Sequence, residues 1–224
     1  MPGGSSSAAL AAPGGPRDRA GIIVFLAGIA AGIPTLLISM ILMRAILSPM
    51  GPAGDIGGRS MLASLLPLSM ALLVTAILIV GIWLMRTPVA ARAWATGAVV
   101  GALVWSIAAS FLVSFSLSLV LRDGGFETYR MLYLLFMSGV AVVEVSLITG
   151  AWVLARRYRP ILLLGAVVVA IVATVCSTAV SFATLGVAPM SDSIVLGLLP
   201  TVVSVTVQLL GIGALALLAR RIRR

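Results

Sequence analysis

Six long apolar stretches make up most of this chain, and each is suited to form a membrane-spanning helix. They occupy residues 21–47, 61–85, 93–121, 131–155, 161–187 and 194–219. Each exceeds the roughly 20 residues that a helix needs to cross the hydrocarbon core of a bilayer. An α-helix bonds all its backbone groups internally, which hydrocarbon requires. We therefore expect an all-α polytopic membrane protein with six transmembrane helices.

The composition agrees with this class of protein. The chain is 61% hydrophobic and 9% charged, whereas soluble domains are about half apolar and a quarter charged. One six-helix transmembrane domain over 21–219 is the natural division. Residues 1–20 are rich in Gly, Ser, Ala and Pro, which predicts a disordered cytoplasmic tail. Residues 220–224 form a basic cytoplasmic C-terminus.

The basic residues are all arginine, and their positions predict an orientation. With the N-terminus inside, the inner segments hold far more arginines than the outer ones, as the positive-inside rule requires. The inner arginines are Arg17, Arg19, Arg86, Arg92, Arg156, Arg157, Arg159, Arg220, Arg221, Arg223 and Arg224, and the outer ones are Arg59, Arg122 and Arg130. Both termini are therefore predicted to be cytoplasmic.

The net charge of +9 does not indicate a nucleic-acid partner. The arginines lie at helix ends, where they meet anionic headgroups of the lipid bilayer. The absence of lysine indicates a GC-rich genome, and hence the cytoplasmic membrane of a bacterium.

Catalytic signatures are missing from the sequence. It has no histidine, and Cys176 is its only cysteine, which removes His-ligated metals and the Ser–His and Cys–His nucleophile pairs. It also has no carboxylate pair and no Asp-rich motif. We expect neither enzymatic activity nor a cofactor or metal.

A weak internal repeat divides the six spans into three hairpins of the same orientation. The third span contains SIAASF at 106–111 and the fifth STAVSF at 177–182. The second contains TAILIVGIWLMR at 75–86 and the fourth EVSLITGAWVLAR at 144–156. This pattern predicts three parallel two-helix hairpin repeats, since a fixed period of similar segments is typical of repeat architectures.

In this alignment Glu144 matches Thr75 and Gln208, each a polar residue near the middle of an even-numbered span. If the hairpins surround an axis, these side chains converge, and Ser110 and Ser181 join them from the odd-numbered spans. An acid in a membrane span is functional by default, which predicts a substrate or proton site. A neutral, hydrogen-bonded structural glutamate is equally open.

Small and aromatic residues have a structural interpretation. Gly28 and Gly32, like Gly97 and Gly101, have the spacing of helix-packing seams. Trp83 and Trp152 lie near the inner ends of their spans, as in the aromatic belt at a membrane interface.

Two functions remain open from the sequence. The first is a small transporter or permease-like protein with a central polar site around Glu144. The second is a non-catalytic membrane subunit that scaffolds or regulates a larger complex, either with a protein partner or as a homo-oligomer. The short loops favour the second, because they leave no room for a soluble ligand-binding domain.

Overall fold

The computed structural model describes residues 15–47, 56–120, 126–185 and 194–223, and these contain helices and no strand. The helices are α1 (Pro16–Ala30), α2 (Gly32–Leu47), α3 (Ile56–Leu84), α4 (Val89–Val120), α5 (Phe126–Ala155), α6 (Ile161–Leu185) and α7 (Ile194–Arg223). By length and composition they supply six membrane spans, of which α1 and α2 together form the first. The all-α, six-span prediction is confirmed.

The first helix begins earlier than predicted. Residues 16–20, assigned to the tail from the sequence, belong to α1, while residues 1–14 lie outside the described part. Pro16 is favoured at a helix start because its missing N–H and fixed φ cost nothing there. Asp18 lies in the first turn, where a negative charge interacts favourably with the helix dipole.

The first span is interrupted at Ala31, between α1 and α2. Pro34 lacks an N–H, so it cannot donate to the carbonyl of Ala30 one turn earlier. The hydroxyl of Thr35 donates to the carbonyls of Ala31 and Gly32, at 2.8 and 3.0 Å. A side-chain hydroxyl thus supplies hydrogen bonds at the interruption, as hydrocarbon surroundings demand. Pro67 and Pro200, in contrast, lie inside uninterrupted helices.

Spans that follow one another in sequence pack side by side. The most extensive pairings are α1 with α3, α4 with α5, α6 with α7, and α5 with α6. The repeat itself stays a prediction. Trp83 and Trp152, which the repeat makes equivalent, differ in environment, because Trp83 is 44% exposed and Trp152 is buried.

The first and second spans approach each other backbone to backbone through two glycines. A Cβ on Gly21 would lie 2.7 Å from the amide nitrogen of Met85 and 2.9 Å from the carbonyl oxygen of Gly81. A Cβ on Gly81 would lie 2.7 Å from the amide nitrogen of Phe25. Only glycine fits at these positions, so small residues bring α1 and α3 together as they do in other membrane helix pairs.

The predicted glycine seams are partly right. A Cβ on Gly28 would meet the side chain of Leu78 at 2.9 Å, so this glycine does lie in a packed seam. Gly32 has only ordinary contact with Val205. For Gly97 and Gly101 the prediction is wrong within this chain, since a Cβ on either would meet nothing within 4 Å among the described residues. The spacing alone does not determine which face of α4 meets a neighbour.

The buried core is concentrated near one end of the bundle, which we call the arginine-rich end after Arg17, Arg86, Arg92, Arg156 and Arg220. One connected cluster there includes Phe25, Leu78, Ile82, Met85, Val99, Trp152 and Ile212. Toward the opposite end, residues 32–46, 65–77 and 194–204 contain no buried side chain. The spans are thus tightly packed at the arginine-rich end and loosely packed in three segments beyond it.

We expect Gly81→Ala to lower the free energy of unfolding by about 1–3 kcal/mol, because the new methyl forces α1 and α3 apart. Gly139→Ala is the matched control, since a Cβ there meets nothing within 4 Å. Thermal unfolding in detergent, followed by circular dichroism, measures both. Equal melting temperatures for the two variants would contradict the close approach.

Candidate functional site

Helix α5, together with Arg156 directly after it, makes polar side-chain contacts with four other helices. Its partners among the described residues are Asp18 of α1, Ser106 of α4, Thr178 of α6 and Gln208 of α7. Polar groups in hydrocarbon are costly unless they bond to one another, so these contacts connect the fourth span to α1, α4, α6 and α7. The fourth span is therefore the helix to which the candidate site belongs.

Glu144 lies deep in this span. It is 12 residues before Arg156, which corresponds to about 18 Å along the helix axis. The hydroxyl of Ser106 on α4 lies near its carboxyl group, and both side chains are partly buried. The indole Nε1 of Trp105 donates to the carbonyl of Val140 at 3.2 Å, one turn along the same interface. The carboxyl is thus held between α4 and α5.

Gln208 makes a separate contact on α5. Its Nε2 donates to Oγ1 of Thr149 at 3.2 Å, and both side chains are buried. Thr149 follows Glu144 by five residues, which places it about 140° around the helix. Gln208 therefore meets a different face of α5 from the one that carries Glu144, and the two predicted site residues take part in two distinct polar contacts.

The other predicted site residues are distributed over three helices. Thr75 in α3 and Ser110 in α4 are partly buried. Ser181 in α6 is buried and donates to the carbonyl of Ser177 in its own helix, at 3.0 Å, a common arrangement for serine in a membrane helix. The structure adds Ser106, which sequence reasoning missed. The available signal was that Ser106 opens the same SIAASF motif that ends with Ser110 and Phe111.

A buried ion pair connects the helix ends at the arginine-rich end of the bundle. Nη1 of Arg156 donates to both carboxylate oxygens of Asp18, at 2.8 and 3.0 Å. The backbone N–H of Arg86 points to the same carboxylate at 3.4 Å. The side chain of Asp18 is only 4% exposed. One ion pair therefore ties the start of the first span to the end of the fourth, beside the end of the second.

The end of α5 places Arg156 for this pairing. Arg157 has a left-handed backbone with φ 51°. The N–H of Tyr158 bonds the carbonyl of Val153, and the N–H of Arg157 bonds that of Leu154. This is the Schellman arrangement, which usually has glycine at the left-handed position. An arginine there costs about 1–2 kcal/mol, which the packing of Tyr158 against both core clusters helps to offset.

The ion pair with Asp18 stabilises the charged form of Arg156, which lies just beyond the end of the fourth span. Burial by itself lowers the pKa of its guanidinium, because the charged form loses solvation. The hydrogen bond and the charge of Asp18, with a further contribution from Tyr158, act in the opposite direction, and the pKa is raised overall. The sequence had assigned Arg156 only to membrane orientation. Asp18, an acid among the predicted inner arginines, was the signal for a partner.

Trp152 does not belong to an aromatic belt, as the sequence had predicted. Its side chain is 3% exposed, and its ring lies 5.5 Å from that of Phe25, centroid to centroid. Its Nε1 is buried and has no hydrogen-bond partner among the described residues. Trp83, in contrast, is partly exposed and donates from Nε1 to Thr96 at 3.2 Å. Position along a span does not reveal which way an indole points.

Comparisons of the chain with protein-family models, with curated proteins and with solved structures give no match. The function must therefore be argued from the contacts described above.

We expect a double-mutant cycle on Asp18→Asn and Arg156→Gln to give a coupling energy of about 1–3 kcal/mol. This lies below the range for fully buried pairs, because the Arg156 side chain is 21% exposed. Thermal unfolding in detergent gives the stability of the wild type, the two single variants and the double variant. Arg159→Gln, at an exposed arginine of the same connection, is the control and should leave the melting temperature unchanged. Additive effects of the two substitutions would contradict a stabilising pair.

Proposed function

We propose that the protein is a small transporter or permease-like carrier in a bacterial cytoplasmic membrane, in which Glu144 takes up and releases a proton or binds a cationic substrate. The observation that carries this proposal is the contact between Glu144 and Ser106 in the middle of the membrane span. Ionisable side chains at that depth are rare, and they typically mark proton relays and substrate pathways.

The contact itself suits such a role. A carboxyl group can accept a hydrogen bond from a serine hydroxyl when it is ionised, and it can donate one when it is protonated. The Ser106 hydroxyl can adapt to both states because it rotates about its C–O bond. Glu144 can therefore change its protonation state while it keeps its neighbour on α4, which a relay of protons requires.

The uneven packing of the bundle also supports transport. At the arginine-rich end the core cluster and the Asp18–Arg156 pair hold the spans together. Toward the opposite end, residues 32–46, 65–77 and 194–204 have no buried side chain, whereas Leu117 of α4 and Ser181 and Thr184 of α6 are buried there. Carriers work by opening one end of a bundle while the other is closed. In the predicted orientation, the closed end faces the cytoplasm.

The test is substrate-driven proton flux in proteoliposomes that contain a trapped pH-sensitive dye, screened with a panel of organic cations, metabolites and drugs. We expect Glu144→Gln to reduce the flux to the protein-free background, because glutamine cannot exchange a proton. Ser106→Ala should reduce it partially. Ser114→Ala, at an exposed serine two turns further along α4, is the matched control and should retain the flux.

Two results would contradict the carrier proposal. One is a full, proton-coupled flux in Glu144→Gln. The other is the absence of any flux in the wild-type protein across the whole panel.

An observation on α4 favours the second candidate, a non-catalytic subunit of a larger membrane complex. Gly97 and Gly101 form a GxxxG spacing with open space beside both positions within this chain. Trp94, one turn before Gly97, is 73% exposed. Glycines at this spacing allow a second helix to approach closely. This face would then be covered by a helix of a partner protein or of a second copy.

For this candidate we expect Gly97→Leu combined with Gly101→Leu to convert an assembly of defined mass into a monomer, because leucines block close approach. Size-exclusion chromatography with light scattering in mild detergent measures the mass. Gly139→Leu, at another glycine with open space beside it, is the control and should leave the assembly intact. A wild-type protein that is monomeric and retains transport activity would decide for the carrier instead.

A further inference from the structure

A groove runs between α1 and α7 in the half of the bundle near the arginine-rich end. It is open on one side and has a volume of about 760 Å³, within the range of sites that bind small molecules. Small residues create the space, among them Ala27 and Ala30 on α1 and Gly213 and Ala216 on α7. The rest of the wall is largely aliphatic, and the ring of Trp152 on α5 forms part of it. We call this feature the α1–α7 groove.

The length of the groove matches one leaflet of a bilayer. On α7 its lining extends from Leu209 to Arg220, which corresponds to about 16 Å of helix. Half of a typical hydrocarbon core is about 15 Å. A single acyl chain of a lipid in the leaflet at the arginine-rich end would therefore have apolar wall beside it over its full depth.

The mouth of the groove carries positive charge. Arg156 and Arg220 line it together with Tyr158. Arg156 forms an ion pair with Asp18. Arg220 is exposed, and among the described residues its side chain has no hydrogen-bond or ion-pair partner. Guanidinium groups bind phosphate oxygens through paired N–H donors, so this rim suits a phosphate at headgroup level.

Polar atoms without partners also lie at the groove. Nε1 of Trp152 and Nε of Arg156 are buried and have no hydrogen-bond partner among the described residues, and both residues line the groove. Buried donors in native proteins are normally satisfied. An oxygen of an occupant could reach these two donors only after the side chains that cover them move, so the headgroup contact rests on the exposed guanidinium of Arg220.

We propose that the α1–α7 groove binds one anionic phospholipid from the leaflet at the arginine-rich end, with an acyl chain between α1 and α7 and the phosphate at Arg220 and Arg156. This site is distinct from the Glu144–Ser106 contact, and it stands whether or not the protein is a carrier. The predicted orientation places it in the cytoplasmic leaflet, where anionic lipids give a negative surface potential.

The charge of the rim selects this occupant over the chain's own N-terminal segment. Residues 1–14 read MPGGSSSAALAAPG and contain no acidic residue, so they cannot complement the arginines. A zwitterionic phospholipid offers a phosphate but no net negative charge, and it should bind more weakly at the same groove.

Native mass spectrometry of the full chain in detergent, with equal amounts of phosphatidylglycerol and phosphatidylcholine, tests the proposal. We expect one phosphatidylglycerol to be retained in preference to phosphatidylcholine. Arg220→Gln should lower that preference roughly fivefold, the effect of one arginine near a membrane surface. Arg221→Gln, which removes the same charge from a neighbour outside the groove lining, is the matched control and should retain the preference.

A second variant removes the space and leaves the charges in place. Gly213→Leu should abolish the retained lipid, because the leucine side chain occupies the groove and a Cβ at this position meets nothing within 4 Å. Gly139→Leu is its control. The position of the acyl chain can be tested in a variant in which Trp83, Trp94 and Trp105 are replaced by Phe, so that only Trp152 fluoresces. We expect phosphatidylglycerol with brominated acyl chains to quench this fluorescence. We expect Gly213→Leu in the same background to reduce the quenching.

Three outcomes would overturn the proposal. Equal lipid preferences in Arg220→Gln and Arg221→Gln would show that the rim does not select the headgroup. A gain in bound phosphatidylglycerol on deletion of residues 2–14 would show that the N-terminal segment fills the groove. A dimer that Gly213→Leu disperses would assign the groove to a second copy of the chain.

Discussion

The hydrogen bonds of helix α5 are the interactions on which the arrangement of the other helices depends. Hydrocarbon drives no apolar helix toward another, so packing and polar contacts must specify which spans meet. Thr178 is hydrogen-bonded to Ser138 and Gln208 to Thr149, and Ser106 lies near Glu144. The Asp18–Arg156 pair adds the first span at the arginine-rich end. The fourth span is thus the reference to which α1, α4, α6 and α7 are positioned.

The two ends of the bundle differ because different contacts act there. Near the arginine-rich end, glycines at 21 and 81 let two backbones touch, and aromatic and aliphatic side chains fill the space around them. A buried ion pair then fixes the helix ends in one register. Toward the other end, Ser138 and Thr178 join α5 to α6, but the hydroxyl groups of Thr35, Ser181 and Thr184 bond to their own helices. Such bonds satisfy a side chain without attaching it to a neighbour.

Two features of the bundle thus have separate chemistry. The carboxyl of Glu144 lies between α4 and α5, while the α1–α7 groove opens near the arginine-rich end. They meet at α5, which carries Glu144 in its middle and Trp152 near its end, and which Arg156 directly follows. Any movement of α5 relative to α1 would therefore alter the groove and the ion pair together.

The sequence by itself determined the six spans, because a run of more than 20 apolar residues has one stable form in a bilayer. It also singled out Glu144, since an acid at that depth is conspicuous in any sequence. Only the tertiary structure decided what each face of a helix meets. Glu144 contacts Ser106 and not Gln208, Trp152 is buried while Trp83 is partly exposed, and Gly97 is open while Gly81 is closely packed. The physical reason is that a membrane span is apolar on all sides, so its sequence has no hydrophobic face that marks the inside of the bundle.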